Sequence, residues 1–275
     1  MSGYIMRSAK SLTEIIFAFL YSPVLFLRHE GPLRIVIYYH SVAKKDLASF
    51  SKQMAYLARN CYVVRPSEIK TARPNGADVI VAVTFDDAFI SFVENAVPVL
   101  RKHGLPAGVF VPTGCLERKP SWEMPDNCPD KDETIMDAEQ IIELDKKGYE
   151  IFSHTISHSM LTREDDKKLE EELVESKKHL QKITGHEISI ISYPYGAHNA
   201  KVREAAKRAG YKFGFSIEPQ IVNHSSDDMS IGRFKVLPGD NLIKFKLKIN
   251  GGYEGVMYLR RLKRLFMRVP VAEKV

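Results

Sequence analysis

A chain of 275 residues that is 44% apolar and 27% charged can bury one large core, which excludes a disordered or fibrous polymer. Its three cysteines, Cys61, Cys115 and Cys128, form no Cys-x-x-Cys pattern, so neither a disulfide framework nor a cysteine zinc site is expected, and a reducing compartment is favoured. The net charge of +6 is unevenly placed: Leu242–Val275 carries nine Lys/Arg against two Glu, or +7, leaving −1 for the rest, so the basic balance says nothing about an active site.

The N-terminal region, 1–30, contains a mostly apolar run, Ile15–Leu27, broken by Ser22-Pro23. It is shorter than the roughly 20 residues needed to span a bilayer, and no small-x-small cleavage site follows it. It is either a helix packed on the domain or an interfacial membrane anchor. Leu33–His40 reads as the first core strand and ends on a histidine. A helix with Phe50, Met54 and Leu57 follows, then a short strand at Tyr62–Val64. Val79–Phe85 is an apolar, β-branched run that stops on Asp86-Asp87. Such a run predicts a strand of a parallel sheet, buried on both faces. One Asp could cap the next helix, but two adjacent acids repel and need another reason.

Beyond a helix over 89–102 comes a strand at Ala107–Val111, then a long loop over 113–134 carrying Trp122. Loops of that length in compact domains tend to be functional or disordered. A helix capped by Asp137 leads to Gly148–Phe152 and on to His154-Thr155-Ile156-Ser157-His158. The charged helix over 164–183 precedes the strand Ile188–Ile191, which runs into Ser192-Tyr193-Pro194-Tyr195-Gly196. A helix over 200–208 and strands at Phe213–Ser216 and Ile231–Val236 complete the alternation. Strands alternating with helices imply parallel strands joined by crossovers and, at this length, a β/α barrel over 31–240. Residues 241–275 form a basic tail, in which Val256, Leu259, Leu262, Leu265 and Phe266 make an apolar stripe among Arg260, Arg261, Lys263, Arg264 and Arg268. That pattern suits an anionic membrane surface or other anionic partner, or a terminal helix packed on the barrel. Nucleic acid is not expected, since no aromatic platform or known module accompanies the charge.

Three polar clusters thus close three strands: Asp86-Asp87, His154 with His158, and Tyr193–Gly196. In a parallel barrel all three face one mouth. Two imidazoles and one carboxylate leave a divalent metal with open positions, and the second carboxylate can take a proton from water there. Hydrolysis of an amide or ester by a metal-activated water is the reaction class this predicts.

The motifs Thr84-Phe85-Asp86-Asp87-Ala88, His154-Thr155-Ile156-Ser157-His158 and Tyr193-Pro194-Tyr195-Gly196 resemble, in order and spacing, those of the polysaccharide deacetylases, carbohydrate esterase family 4, with its NodB homology domain. The resemblance covers about residues 33–238 and implies a distorted, incompletely closed barrel of about seven strands. It implies Asp86 as catalytic base, Asp87, His154 and His158 as ligands of Zn²⁺ (or Co²⁺ or Ni²⁺), and Tyr195 as the residue whose backbone N–H helps hold the oxyanion. Ala88 replaces the usual Gly, and Ser192 stands where many members carry an Arg that orients the base. The usual C-terminal Leu-x-His motif, source of the general acid, is absent. A permuted variant carries Tyr-His at the end of the first strand, and Tyr39-His40 matches it, so His40 is the candidate acid, with His198 and His224 as alternatives. Arg233 is expected to bind substrate or orient Asp86, and Trp122 to line the substrate groove. The implied activity is removal of N-acetyl groups from an amino-sugar glycan or lipid-linked saccharide. The alternatives are a deformylase, an O-deacetylase or a non-catalytic glycan-binding barrel. The expected location is cytoplasmic or peripheral at the inner membrane.

Overall fold

The computed structural model describes residues 13–22, 31–73 and 76–257. The described residues begin with helix α1 (13–22), followed by β1 (Leu33–Tyr39), α2 (Leu47–Asn60), β2 (Tyr62–Val64) and β3 (Val79–Phe85). Next come α3 (Val97–Lys102), β4 (Gly108–Val111), α4 (Ala138–Lys146) and β5 (Glu150–Ser153). Then follow α5 (Asp166–Thr184), β6 (Ile190–Ser192), α6 (Ala200–Arg208), β7 (Phe213–Phe215), β8 (Phe234–Lys235), α7 (Leu242–Ile249) and a last helix, α8 (252–257).

The strands form one parallel sheet in the order β7-β6-β5-β4-β3-β1-β8, with β2 an extra partner of β3. Seven strands on one path match the expected barrel. It is an open half-barrel: β7 and the segment before β8 form no strand ladder, only the isolated bridge Phe215–Ile231 and a backbone bond from the Gly214 N–H to the Asp228 carbonyl. The expected strand over 231–236 shortens to Phe234–Lys235, since only Ile37 and Tyr38 of β1 offer it partners. Every residue of β1 and β3 is buried, as strands covered on both faces require.

Register places the polar clusters. Tyr39 lies opposite Phe85, so His40 and Asp86 leave the sheet side by side, and the Asp86 N–H donates to the Tyr39 carbonyl at 2.9 Å. Val111 lies opposite Ser153, and the His154 N–H donates to the Val111 carbonyl at 2.9 Å. β5 and β6 pair only at Ser153–Ile191 and then part. The gap is bridged by His154, whose Nδ1 lies 2.8 Å from the Ser192 carbonyl.

Of the expected amphipathic tail helix, only the start lies within the described residues, as α8; residues 258–268 lie outside them. Among the described residues no helix is long and apolar enough to cross a membrane.

Candidate active site

At the C-terminal edge of the sheet a cavity of about 310 Å³ is lined by His40, Asp86, Asp87, Trp122, His154, His158 and Tyr195, with Glu123, Asp130 and Lys235 among its other walls. The residues singled out from sequence therefore meet at one mouth, except Arg233, His198 and His224. His198 is held away, with Nδ1 2.9 Å from the Gly196 carbonyl and Nε2 2.8 Å from the Ser230 hydroxyl.

The backbone here is unusual. Asp87, Ala88, Thr155, His158 and Tyr195 all have positive φ, between 53° and 69°, and only one other non-glycine residue among those described does so, Glu117. L-residues avoid that region, and such strain concentrates where side chains must be aimed against the local preference. Ala88 shows how the departure from Gly is tolerated: its φ is 53° while its methyl is fully buried. Gly196, with φ 66°, continues the left-handed turn begun at Tyr195.

Asp87, His154 and His158 are buried and offer three ligand atoms within 4.8 Å of one another. The Nε2 atoms of His154 and His158 lie 3.5 Å and 3.3 Å from Asp87 Oδ1, yet this oxygen accepts no well-aimed hydrogen bond. His158 Nδ1 is also buried without a partner. Orphaned buried polar atoms are rare, and three lone-pair donors converging on one point suit a divalent cation. The Nδ1–H of His154, donated to the Ser192 carbonyl, leaves its Nε2 lone pair facing the cluster, an outer-shell contact typical of metal-binding histidines. Burial would push Asp87 up, but the two imidazoles hold it well below the usual carboxylate range. Burial pushes His158 down, toward the neutral form that can ligate.

His158 is held by its neighbours. Trp122 stacks on its ring with centroids 4.2 Å apart, and the Tyr195 ring meets it edge-on at 4.8 Å. Trp122 thus both lines the cavity and fixes a candidate ligand. The loop beneath is tied to Glu172 of α5, a carboxylate buried under the loop and unnoticed in the sequence. It accepts from the Ile156 N–H (2.8 Å), the Ser157 N–H (3.0 Å) and the Ser157 hydroxyl (2.6 Å). Burial would raise the Glu172 carboxyl, but these donors and Lys168 hold it below its ordinary value. Glu172→Gln turns an amide N–H₂ toward the loop's donors, and a loss of about 2 kcal/mol in urea unfolding is expected; an unchanged midpoint would show that the loop does not depend on this anchor.

Asp86 is gripped differently. Arg233, fully buried, donates from Nη1 to Asp86 Oδ1 at 2.6 Å and from Nη2 to Oδ2 at 2.8 Å. Its remaining donors go to the Ser192 hydroxyl (2.6 Å), the Thr84 hydroxyl (3.2 Å) and the Ser216 carbonyl (2.9 Å). With its fork spent in this way and its surface buried, Arg233 does not reach the cavity. Of the two roles expected for it, substrate contact or orienting Asp86, this geometry is the one a clamp on Asp86 needs. Ser192, at the position where the family resemblance led to an Arg, accepts from this guanidinium instead. Burial would raise the Asp86 carboxyl, but Arg233, with His154 beyond it, holds it below the ordinary range, so it is ionised.

His40 is 26% exposed, and its Nε2 lies 3.9 Å from Asp87 Oδ2. It lines the cavity with Asp86 and Asp87.

Residues 73–214 match the family model of polysaccharide deacetylases. The chain belongs to that family. The matched segment holds Asp86, Asp87, His154, His158 and Tyr195, whereas His40 just after β1 and Arg233 just before β8 fall outside it. Among relatives of this family member, the Bacillus subtilis protein YxkH is 27% identical over 224 residues, 78% of this chain and 75% of that one. The poly-beta-1,6-N-acetyl-D-glucosamine N-deacetylase of Staphylococcus aureus is 30% identical over 180 residues, covering 62% of this chain and 58% of that enzyme. The Streptococcus pyogenes deacetylase PplD, solved in complex with acetate, superposes with a TM-score of 0.67 at 22% identity over 80% of this chain and 99% of its own. IcaB from Ammonifex degensii gives 0.65 at 23% identity, covering 81% and 98%. At these identities the structural likeness concerns the fold.

Proposed function

We propose that this polysaccharide deacetylase family member is a metal-dependent N-deacetylase acting on an N-acetylated amino-sugar glycan. The observation that carries the reading is the pairing of two adjacent carboxylates with opposite environments. Asp87 lies among the imidazoles of His154, His158 and, farther off, His40, while Asp86 is locked by Arg233 and still lines the cavity. The name of the staphylococcal relative supports a poly-N-acetylglucosamine chain as the first substrate to test.

Asp87, His154 and His158 would hold a divalent ion, with Zn²⁺ the first candidate and Co²⁺ or Ni²⁺ the others. Bound there, the ion would polarise the acyl carbonyl and acidify a water molecule. Asp86, kept ionised and aimed by Arg233, takes a proton from the attacking water as it adds to the carbonyl carbon. The backbone N–H of Tyr195 donates to the oxygen that gains charge. His40, which lines the mouth with its Nε2 3.9 Å from Asp87 Oδ2, gives a proton to the sugar nitrogen as the carbon–nitrogen bond breaks. The water oxygen leaves in acetate, and the sugar leaves as an amine. Trp122 forms a wall of the cavity, which at about 310 Å³ is at the small end of ligand sites and suits one sugar residue with the glycan continuing outside.

Acetate release from poly-N-acetylglucosamine oligomers, with chelator and with Zn²⁺ or Co²⁺ restored, tests this. Release that stops with chelator and returns with metal is expected. Release only from formyl or O-acetyl analogues would move the reading to another acyl group, and no release from metal-loaded protein on any of them would overturn it.

A further inference from the structure

His198, an alternative general acid by its place in the sequence, has another use. It does not line the cavity, and both of its ring nitrogens are spent on neighbours. The Gly196 carbonyl can only accept, so Nδ1 carries the hydrogen of their 2.9 Å contact. In the neutral ring Nε2 is then the acceptor, and the Ser230 hydroxyl donates to it at 2.8 Å. The ring also stacks on Tyr193, with centroids 5.0 Å apart and planes 13° from parallel. Tyr193 is fully buried, and its hydroxyl donates to the Met229 carbonyl at 3.0 Å. The imidazole is thus held on one face and at both nitrogens, and it can restrain what it touches.

What it touches is the Tyr195 turn. The Gly196 N–H donates to the Tyr193 carbonyl at 2.8 Å, which closes a four-residue turn with Pro194 second and Tyr195 third. Tyr195 has φ 58° and ψ 5°, and proline cannot take a positive φ, so the turn is of type II. Type II favours glycine or asparagine in the third place, whereas type I accepts Pro194 equally well and would let Tyr195 relax to a negative φ. The two forms differ by about half a turn of the peptide plane between Pro194 and Tyr195. The relaxed form therefore points the Tyr195 N–H away from the oxyanion it serves in the proposed reaction.

Two planar peptides carry the restraint from His198 to that N–H. In a trans peptide the C=O and N–H point opposite ways. His198 fixes the Gly196 carbonyl, so the Ala197 N–H of the same peptide points away from His198 and donates to the Pro194 carbonyl at 3.0 Å. That bond fixes the Pro194–Tyr195 peptide, whose own N–H points opposite again. Gly196, with φ 66°, has no side chain to hold the intervening backbone by itself.

We propose that His198 is a positioning residue for the oxyanion donor: through the Gly196 carbonyl it keeps the Pro194–Tyr195 peptide in the type II form that aims the Tyr195 N–H at the developing charge. The inference rests on the deacetylase reading for its effect on rate, but not for the turn itself.

His198→Phe keeps a ring on Tyr193 and removes both hydrogen bonds, while His198→Asn returns an amide N–H near the place of Nδ1. Acetate release from poly-N-acetylglucosamine oligomers by the zinc-loaded protein should fall about 10²-fold in kcat for His198→Phe, the low end of the range for losing one oxyanion donor, with KM within about twofold. His198→Asn should recover about tenfold of that loss or more. The turn is read separately by amide hydrogen exchange in NMR spectra: the Ala197 N–H should exchange about tenfold faster or more in His198→Phe and near the wild-type rate in His198→Asn. Ser230→Ala, a milder change that frees the ring at Nε2, should move both readouts the same way by about threefold, and it decides the matter if His198→Phe does not fold. A raised KM with kcat held, an Asn variant as slow as the Phe variant, or unchanged exchange at Ala197 would overturn the proposal. No acetate from the wild type is a failure of the deacetylase reading, and exchange at Ala197 then still decides whether His198 holds the turn.

Discussion

Asp86→Asn is expected to lower kcat by about 10³-fold, within the range of about 10²–10⁴ that a positioned general base supplies, while divalent-ion affinity stays within a few-fold. The carboxamide cannot take a proton from water. Asp86 is not among the three groups that converge as ligands, so the ion should still bind. The substitution does strand Arg233, which is fully buried. Breaking a buried ion pair from one side costs about 3–5 kcal/mol. Here the guanidinium also lies over the rings of Tyr38 (4.6 Å), Phe110 (5.0 Å) and Phe215 (6.0 Å), which stabilise a cation on their faces. A loss near about 3 kcal/mol is therefore expected, which a domain stable by about 5–15 kcal/mol survives. Zinc titration in competition with a chromophoric chelator, beside acetate release, separates the outcomes. Near-normal turnover would remove Asp86 from the role of base. Loss of zinc binding in a variant still folded by circular dichroism would make it a ligand instead.

The parallel sheet and the residues that meet at the cavity were legible because their signals are local. β-branched runs announce β1 and β3, and acids or histidines at strand ends announce what the register then gathers. What the sequence hid depends on pairing across the chain. Arg233 sits 147 residues from Asp86, and nothing near it says which carboxylate it serves; the one hint was Ser192, at the position where the family resemblance led to an Arg. Glu172 reads as one acid among many on a charged helix, and only the crossing of α5 under the 155–158 loop buries it. The left-handed residues Asp87, Thr155, His158 and Tyr195 carry no glycine or asparagine to mark them, because surrounding packing and hydrogen bonds impose that conformation against local preference. Helix α1 was half legible. Its apolar residues could be read as core or as anchor, and the structure divides them: Ile15, Phe17, Ala18 and Tyr21 pack inward, while Ile16, Phe19 and Leu20 are exposed.

Arg233→Met carries the second large effect, and it distinguishes a clamp from a substrate contact. Met fills much of the volume but leaves Asp86 ionised in a buried site, so about 4 kcal/mol of stability should be lost in urea unfolding. Freed of both fork bonds, Asp86 can rotate away from its attack position. A misplacement of about 1 Å costs about 10² in rate, and kcat should fall by that order with KM nearly unchanged. A substrate-binding Arg would give the opposite split, a raised KM with kcat held. The two substitutions should also couple. Asp86→Asn combined with Arg233→Met leaves no unpaired charge, so the double variant should unfold at higher urea than Arg233→Met alone, although it has lost one more native group. Additive losses would mean that the 2.6 Å and 2.8 Å contacts contribute nothing that either partner lacks without the other. A KM effect alone would return Arg233 to the substrate, despite its burial. The clamp reading requires both results together: non-additive stability and a kcat loss, because one guanidinium both neutralises the base and fixes its direction.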